Sequence, residues 1–324
     1  MGGKRVIIGL IVFIFGVSLL VFTVLSGGNG DKHGQVRYIG IKVYDPVYIA
    51  KDKGFFDKRS VKVEIVDIIT GGPTALQVLS SGKAEACISS YMAIINARAQ
   101  GLPVMAVTDI QSAIGMQPLE EFFVRNGSGV KTVTDLKGKK IAVNLVKSSF
   151  HYTWIMALEK AGLSENDVEF AILPFDQQEL ALINGQVDAI GLMQPYILHA
   201  KENPNVTLLF TALDVFGEKQ FCTHAVNSAW AENNKALAEG FVTAIAEAEQ
   251  WIEDNQEEAK SIISKYTGVD VRYIEDYYFQ KNGVVIMGDA QYWLDYMRKH
   301  GDLTNDWLKV SDFATNQYNL KAGG

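Results

Sequence analysis

The 324-residue chain has no surplus of basic side chains: 30 Lys and Arg stand against 37 Asp and Glu, a formal net charge of −7. A surface that reads nucleic-acid phosphates shows a basic patch or stripe, and none is visible, so nucleic acid is excluded as a partner. Cysteine is scarce too. Cys87 and Cys222 are the only two, which leaves one possible bridge or two small buried apolar side chains. Neither lies in the first 35 residues, so no thiol there can take a bacterial lipid anchor. The five histidines, His33, His151, His199, His224 and His300, show no metal-ligand spacing, and neither a metal nor a cofactor is expected. Nucleophile elbow, Walker loop and zinc-protease helix are all missing, so no catalytic residue is assigned and an enzyme is not expected.

What the chain does have is apolar residues, 48% of the total with 21% charged, enough for a sizeable core, and a length that suits two domains. The N-terminus is of another kind. Lys4 and Arg5 precede an uncharged run from Val6 to Leu25, followed by the polar "SGGNGDKHG". About 20 apolar residues fit a bilayer-spanning helix, whereas an export signal needs fewer, so residues 1–35 are either a signal peptide or a membrane anchor with its linker. Either way the basic residues stay inside and the rest of the chain is expected outside the cytoplasm, tied to the membrane only if the helix is uncleaved.

One phrase is written twice. "LSSGKAEACISSYM" begins at Leu79 and "LINGQVDAIGLMQP" at Leu182; laid over each other, Leu79 meets Leu182, Gly82 meets Gly185 and Ala86 meets Ala189. In each copy a helix closes at glycine, which takes the left-handed cap without a steric penalty, and a strand follows. The helices "PTALQVLSS" and "QQELALIN" each succeed another apolar strand, "VKVEIVDII" and "VEFAILP", so each copy reads strand, helix, strand, the unit of a parallel sheet. Two α/β lobes of similar build are expected. Ligands of open α/β sheets bind beyond the carboxyl ends of the strands, which places a site between the lobes.

The strand-to-helix junctions therefore supply the candidate ligand contacts. In "ITGGPTA" these are Thr70, Gly71, Gly72 and Thr74, where glycine allows close backbone approach and a helix N-terminus offers amides to an anion. The matching junction "NLVKSSFHYTW" supplies Asn144, Ser148 or Ser149 as the N-cap, and His151, with Lys147 able to add charge. The strand ends of the repeat add Ser89, Ser90 and Tyr91, then Gln194 and Tyr196. Tyr44 and Asp45 close the first strand; Asp45 could meet an amine or instead cap the helix beginning near Pro46.

The run from "PVYIAKDKGFF" to "GLPVMAVTD", together with "VTDLKGKKIAVN", "LEKAGLSENDVEF", "LINGQVDAIGLMQPY" and "AEAEQWIEDNQEEAKSIISKYTGV", resembles the solute-binding proteins of nitrate, sulfonate and taurine ABC importers. That group also includes binders of thiamine pyrimidine precursors. The resemblance covers about residues 36–280. It implies a periplasmic-binding-protein type II fold, two α/β lobes around a ligand cleft with hinge crossings, preceded here by the hydrophobic helix. Lobe 1 is expected from residues 36–122 plus 223–324, with the C-terminal helices, and lobe 2 from 123–222. The implied role is capture of a small anionic solute by lobe closure, as a monomer, and delivery to an ABC permease with its cytoplasmic ATPase. A pyrimidine binder, or a pyrimidine-forming enzyme on the same fold, is the alternative.

Overall fold

The computed structural model describes residues 34–69, 71–112, 120–303 and 306–323. The apolar run Val6–Leu25, the loop residue Thr70 and residues 113–119 lie outside the described residues. Among the described residues no helix is long and apolar enough to cross a membrane.

Among the described residues, ten strands form two five-stranded sheets of one topology. They are β1 Gly34–Ile41, β2 Val61–Ile69, β3 Ala86–Ser90, β4 Val104–Ser112, β5 Glu121–Arg125, β6 Lys140–Val143, β7 Glu169–Ile172, β8 Ala189–Leu192, β9 Val206–Thr211 and β10 Gln220–Asn227. The first sheet runs β2-β1-β3-β10-β4 and the second β7-β6-β8-β5-β9. In each, the first three strands pair in parallel and the fourth is antiparallel to both its neighbours. That fourth strand is the exchanged one. β5 joins the second sheet directly after the chain leaves β4, and β10 is where it returns to the first. The segment "KQFCTHAVN" is a full strand held between β3 and β4 from Gln220 onward.

The repeated phrase falls at equivalent places. Helix Gly72–Ser80 leads through Gly82, at φ +72°, into β3, and helix Phe175–Ile183 leads through Gly185, at φ +70°, into β8. Both strands are buried along their whole length, so the repeat is written in apolar residues wherever a parallel strand needs both faces covered. One apolar cluster runs without a break from Ile39 and Ile88 of the first sheet to Phe122, Ile141 and Ile190 of the second. The outer face of the first sheet is sealed by helix Lys235–Asp254, which places Phe241, Val242, Ile245 and Ile252 against Val36, Tyr38 and Val61.

Inside that seal lies a buried polar knot. Asp45 accepts from Tyr38 Oη at 2.6 Å and from Val47 N at 2.9 Å, and its Oδ1 stands 3.0 Å from His224 Nε2. Nearby, Glu249 is buried with no hydrogen bond to either carboxyl oxygen among the described residues. Burial first, then the charges of Asp109 and Asp45, raise its pKa well above the ordinary carboxyl value. A carboxyl that keeps its proton in the fold and loses it on unfolding costs stability as pH rises. The unfolded state then binds fewer protons, and each pH unit above the ordinary carboxyl range takes away about 1.4 kcal/mol. Glu249→Gln should therefore flatten the fall in stability as pH rises from the ordinary carboxyl range toward neutrality. Urea midpoints of both proteins across that range check this, and a parallel loss in the variant would show that Glu249 is not the titrating group.

Candidate functional site

Four helices begin at one small cavity between the sheets, one of them, Phe175–Ile183, through its first residue. Helix Gly72–Ser80 has Gly71 as its N-cap and Pro73 in its first turn, so its end offers backbone and no capping side chain. Helix Tyr91–Ala99 begins directly at the end of β3 and is capped by Ser90, whose Oγ accepts from Ala93 N at 3.4 Å. Helix Ser149–Lys160 is capped by Ser148, whose Oγ accepts from His151 N at 3.4 Å and donates to Asn144 Oδ1 at 2.7 Å. The cavity between them holds about 30 Å³. Gly72, Ser89, Ser90, Asn144, Ser148 and Ser149 provide its polar wall; Ile41, Val43, Ile88, Phe150, Phe175 and Met193, with Cys222, provide the rest.

Two details mark it as more than a packing gap. The Ser89 hydroxyl is buried with no hydrogen bond among the described residues, although a buried polar atom normally has a partner. Gly72 is pressed against the same serine: a Cβ there would stand 2.4 Å from Ser89 Oγ and 2.9 Å from Ser89 Cα. The first turn of the helix thus comes as close to β3 as backbone can. The wall has no Lys, Arg, His, Asp or Glu among the described residues. Helix N-termini carry partial positive charge and unpaired amides, and in a dry site these favour a small monovalent anion. At about 30 Å³ the cavity is small, with room for an ordered water or little more.

Of the sequence candidates, Gly72, Ser89, Ser90, Asn144, Ser148 and Ser149 come together here, with Gly71 at their edge, where a Cβ would meet Asn144 Nδ2 at 3.1 Å. Others do not. Asp45 is consumed by the buried knot and caps the helix at Pro46. Tyr44 is buried against Tyr277, ring centroids 5.0 Å apart, and Tyr91 Oη donates to Gln220 Oε1 at 2.5 Å. Thr74 is exposed on the outer side of its helix. His151 packs edge-on against Phe170 and accepts from Lys147 N at 3.3 Å; burial lowers its pKa, so at neutral pH it is an uncharged loop clasp. Lys147 itself is not on the cavity wall. Gln194 sits at the seam, its carbonyl accepting from Tyr44 N at 3.2 Å and its amide donating to Glu275. Tyr196 stands outside, on an adjoining groove of about 230 Å³ with Lys42, Ile68, Ile69 and Pro174. That groove and the cavity share Ile41 and Phe175.

The apolar contacts Phe150, Phe175 and Met193 escaped sequence reading because a phenylalanine at a helix start looks like any core residue. Cys222 escaped for a different reason: its strand arrives from the far side of the second sheet and pairs Cys222 opposite Ser90. Cys87 and Cys222 are free and buried. Burial pushes the Cys222 thiol well above its ordinary range, leaving very little thiolate.

With this geometry in hand, comparisons with known proteins are informative. A family model described as "NMT1/THI5 like" matches residues 43–259, about two thirds of the chain. A protein named "Putative aliphatic sulfonates-binding protein" from Bacillus subtilis (strain 168) is 27% identical over 277 residues, 83% of this chain and 81% of that one. A protein of the same name from Escherichia coli (strain K12) is 27% identical over 234 residues, 71% and 70%. Among solved structures, the alkanesulfonate-binding protein SsuA from Xanthomonas axonopodis pv. citri, bound to MOPS, superposes with a TM-score of 0.72 at 20% identity, covering 87% of this chain and 98% of that one.

Proposed function

Since the chain belongs to the NMT1/THI5-like family, we propose that it is the extracytoplasmic solute-binding component of an ABC importer and that its solute is a small monoanion of the sulfonate or nitrate class. The observation that carries this is the buried Ser89 hydroxyl among helix N-termini, on a wall without charged side chains among the described residues. Such a wall strengthens attraction for one negative charge through fixed dipoles and costs no desolvated cation to build. The likeness to sulfonate-binding relatives supports the same class. An organic tail would leave past Ile41 and Phe175 into the groove beside Tyr196, which favours a sulfonate on a short chain.

Capture works by closure. Contacts that cross between the sheets, Tyr44 N to Gln194 O at 3.2 Å and Asn96 Nδ2 to Tyr152 Oη at 3.2 Å, exist only when the lobes are together. An anion that needs helix ends from both lobes binds the closed form better and shifts the population toward it. The link between β9 and β10 serves as a hinge. The closed form is what an ABC permease with its cytoplasmic ATPase would recognise. The Val6–Leu25 run serves export, as a cleaved signal or a retained anchor. A pyrimidine-forming enzyme is disfavoured because the cavity's only thiol among the described residues is held protonated by burial.

A thermal-shift screen with alkanesulfonates, taurine, nitrate, bicarbonate, carboxylates and pyrimidines tests the class. At 100 times its Kd a true ligand adds about 2.7 kcal/mol to native stability. A shift with alkanesulfonates or nitrate is the expected result. Silence from every anion with a shift from a pyrimidine would overturn the anion reading.

A further inference from the structure

The loop that carries Asn144 and Ser148 to the cavity is held in a turn it would not adopt alone. Asn144 follows β6, and Leu145, Val146 and Lys147 lead to Ser148, the N-cap of helix Ser149–Lys160. Lys147 sits at φ +63°, a left-handed conformation that costs a residue with a Cβ about 1–2 kcal/mol. Local hydrogen bonds must offset that cost.

His151 takes part in two of them. Its backbone N donates to Ser148 Oγ at 3.4 Å, and its ring Nδ1 accepts from Lys147 N at 3.3 Å, while Ser148 N donates to Leu145 O at 3.2 Å. Ser148 in turn donates to Asn144 Oδ1 at 2.7 Å, so one clasp fixes two polar residues of the cavity wall. The spacing from Ser148 to His151 is that of a capping box, in which the third residue of the helix normally reaches back with a carboxylate or an amide. Here an imidazole does so. A neutral ring accepts the amide hydrogen without placing a negative charge beside a wall that otherwise favours an anion.

The ring can accept only while Nδ1 carries no hydrogen. A proton there turns the acceptor into a donor and sets two N–H groups against each other, so the clasp opens and Lys147 is free to leave the left-handed region. The ring's surroundings keep it neutral. It packs edge-on against Phe170 of β7 at 4.7 Å and beside Tyr152 at 6.2 Å, between ring centroids. Burial has the largest influence and favours the uncharged form; Glu165, in the short helix before β7, opposes it and Lys147 adds to it.

Resting on the anion-binding reading above, we propose that His151 is a positioning residue: its neutral ring locks the Asn144–Ser148 loop in the form that receives the anion, and acid opens the clasp and releases the anion. Linkage makes this reciprocal, so a bound anion keeps the ring neutral and binding in acid expels a proton. Affinity is then level from neutrality upward and falls below the range in which histidine ordinarily titrates.

The test is calorimetric titration of the full chain with methanesulfonate, whose charge does not change, from about pH 4.5 to about pH 8. Each pH is run in two sulfonate-free buffers of different ionisation enthalpy, and nitrate replaces methanesulfonate if the latter gives no heat. Expected for the unaltered protein is a level Kd above neutrality, then a weakening of up to about tenfold per pH unit in acid with release of close to one proton per anion. His151→Ala, which cannot accept the Lys147 amide hydrogen at any pH, should bind about tenfold more weakly at the alkaline end and lose the slope. His151→Gln, whose amide oxygen can accept at every pH, should recover most of that affinity and stay level into acid. Binding of equal strength throughout with no proton release would overturn the role of His151 and leave the function standing. Tighter binding in acid with proton uptake would overturn it as well, since the ring would then be acting on the anion as a charge. No binding of either anion at any pH would overturn the function and this inference together. The proton count and the slope come from the unaltered chain, so variants that failed to fold would leave the outcome readable.

Discussion

Gly72→Ala is expected to weaken anion binding by at least about a hundredfold, close to 2.7 kcal/mol. The added methyl has no place: it would sit 2.4 Å from Ser89 Oγ and 2.9 Å from Ser89 Cα. The serine side chain could rotate, but the second distance is to backbone at the end of β3, so the helix end itself must withdraw. Its amides then retreat from the cavity, and the hydroxyl they share the anion with is displaced. Overpacking of this kind costs about 1–3 kcal/mol of stability as well, partly offset by the better helix propensity of alanine. Titration with a sulfonate or nitrate reads the affinity, with Thr74→Ala, one turn position away on the exposed side, as the comparison. Equal affinities for Gly72→Ala and the unaltered chain would remove this helix end from the site.

Asp45→Ala should cost about 3–5 kcal/mol of stability while leaving the order of ligand preference unchanged. The carboxylate serves three groups at once: the Tyr38 hydroxyl, the Val47 amide that opens the next helix, and His224. Truncation leaves all three buried without their partner, and each orphaned polar group costs about 1–3 kcal/mol, reduced where neighbours can relax. Urea unfolding gives the stability and a ligand series gives the preference. A changed preference with intact stability would return Asp45 to the cleft as a contact for an amine. In the fold it is a cap, the second of the two roles its place before Pro46 allowed.

The architecture was largely legible because it is written locally. Strand, helix, glycine and strand follow one another within each copy of the repeat, and their period and caps depend on near neighbours. So Gly82 and Gly185 end their helices, and β3 and β8 occupy the same position in sheets of identical order. The strand-to-helix junctions were readable for the same reason, which is why Gly72, Asn144, Ser148 and Ser149 were found. Ser89 and Ser90 followed from the rule that ligands meet strand ends.

Direction and partnership were not legible. Tyr44, Asp45, Tyr91 and His151 occupy junctions like those of the true wall residues, yet each turns away toward a partner distant in sequence. Asp45 and His224 are separated by 179 positions, and only the return of β10 between β3 and β4 brings them within hydrogen-bonding distance. That same return puts Cys222 opposite Ser90 and completes the cavity.

The sequence by itself determined that there are two α/β lobes and where their helices begin. These are properties of neighbouring residues, set by propensity, capping and hydrophobic period. The tertiary structure alone decided which hydroxyls reach the cavity, how small it is, and that Asp45 turns away from it to His224. Those depend on the exchange of β5 and β10 between sheets, and on burial, which assigns each polar group to whichever partner lies within about 3 Å regardless of its place in the chain.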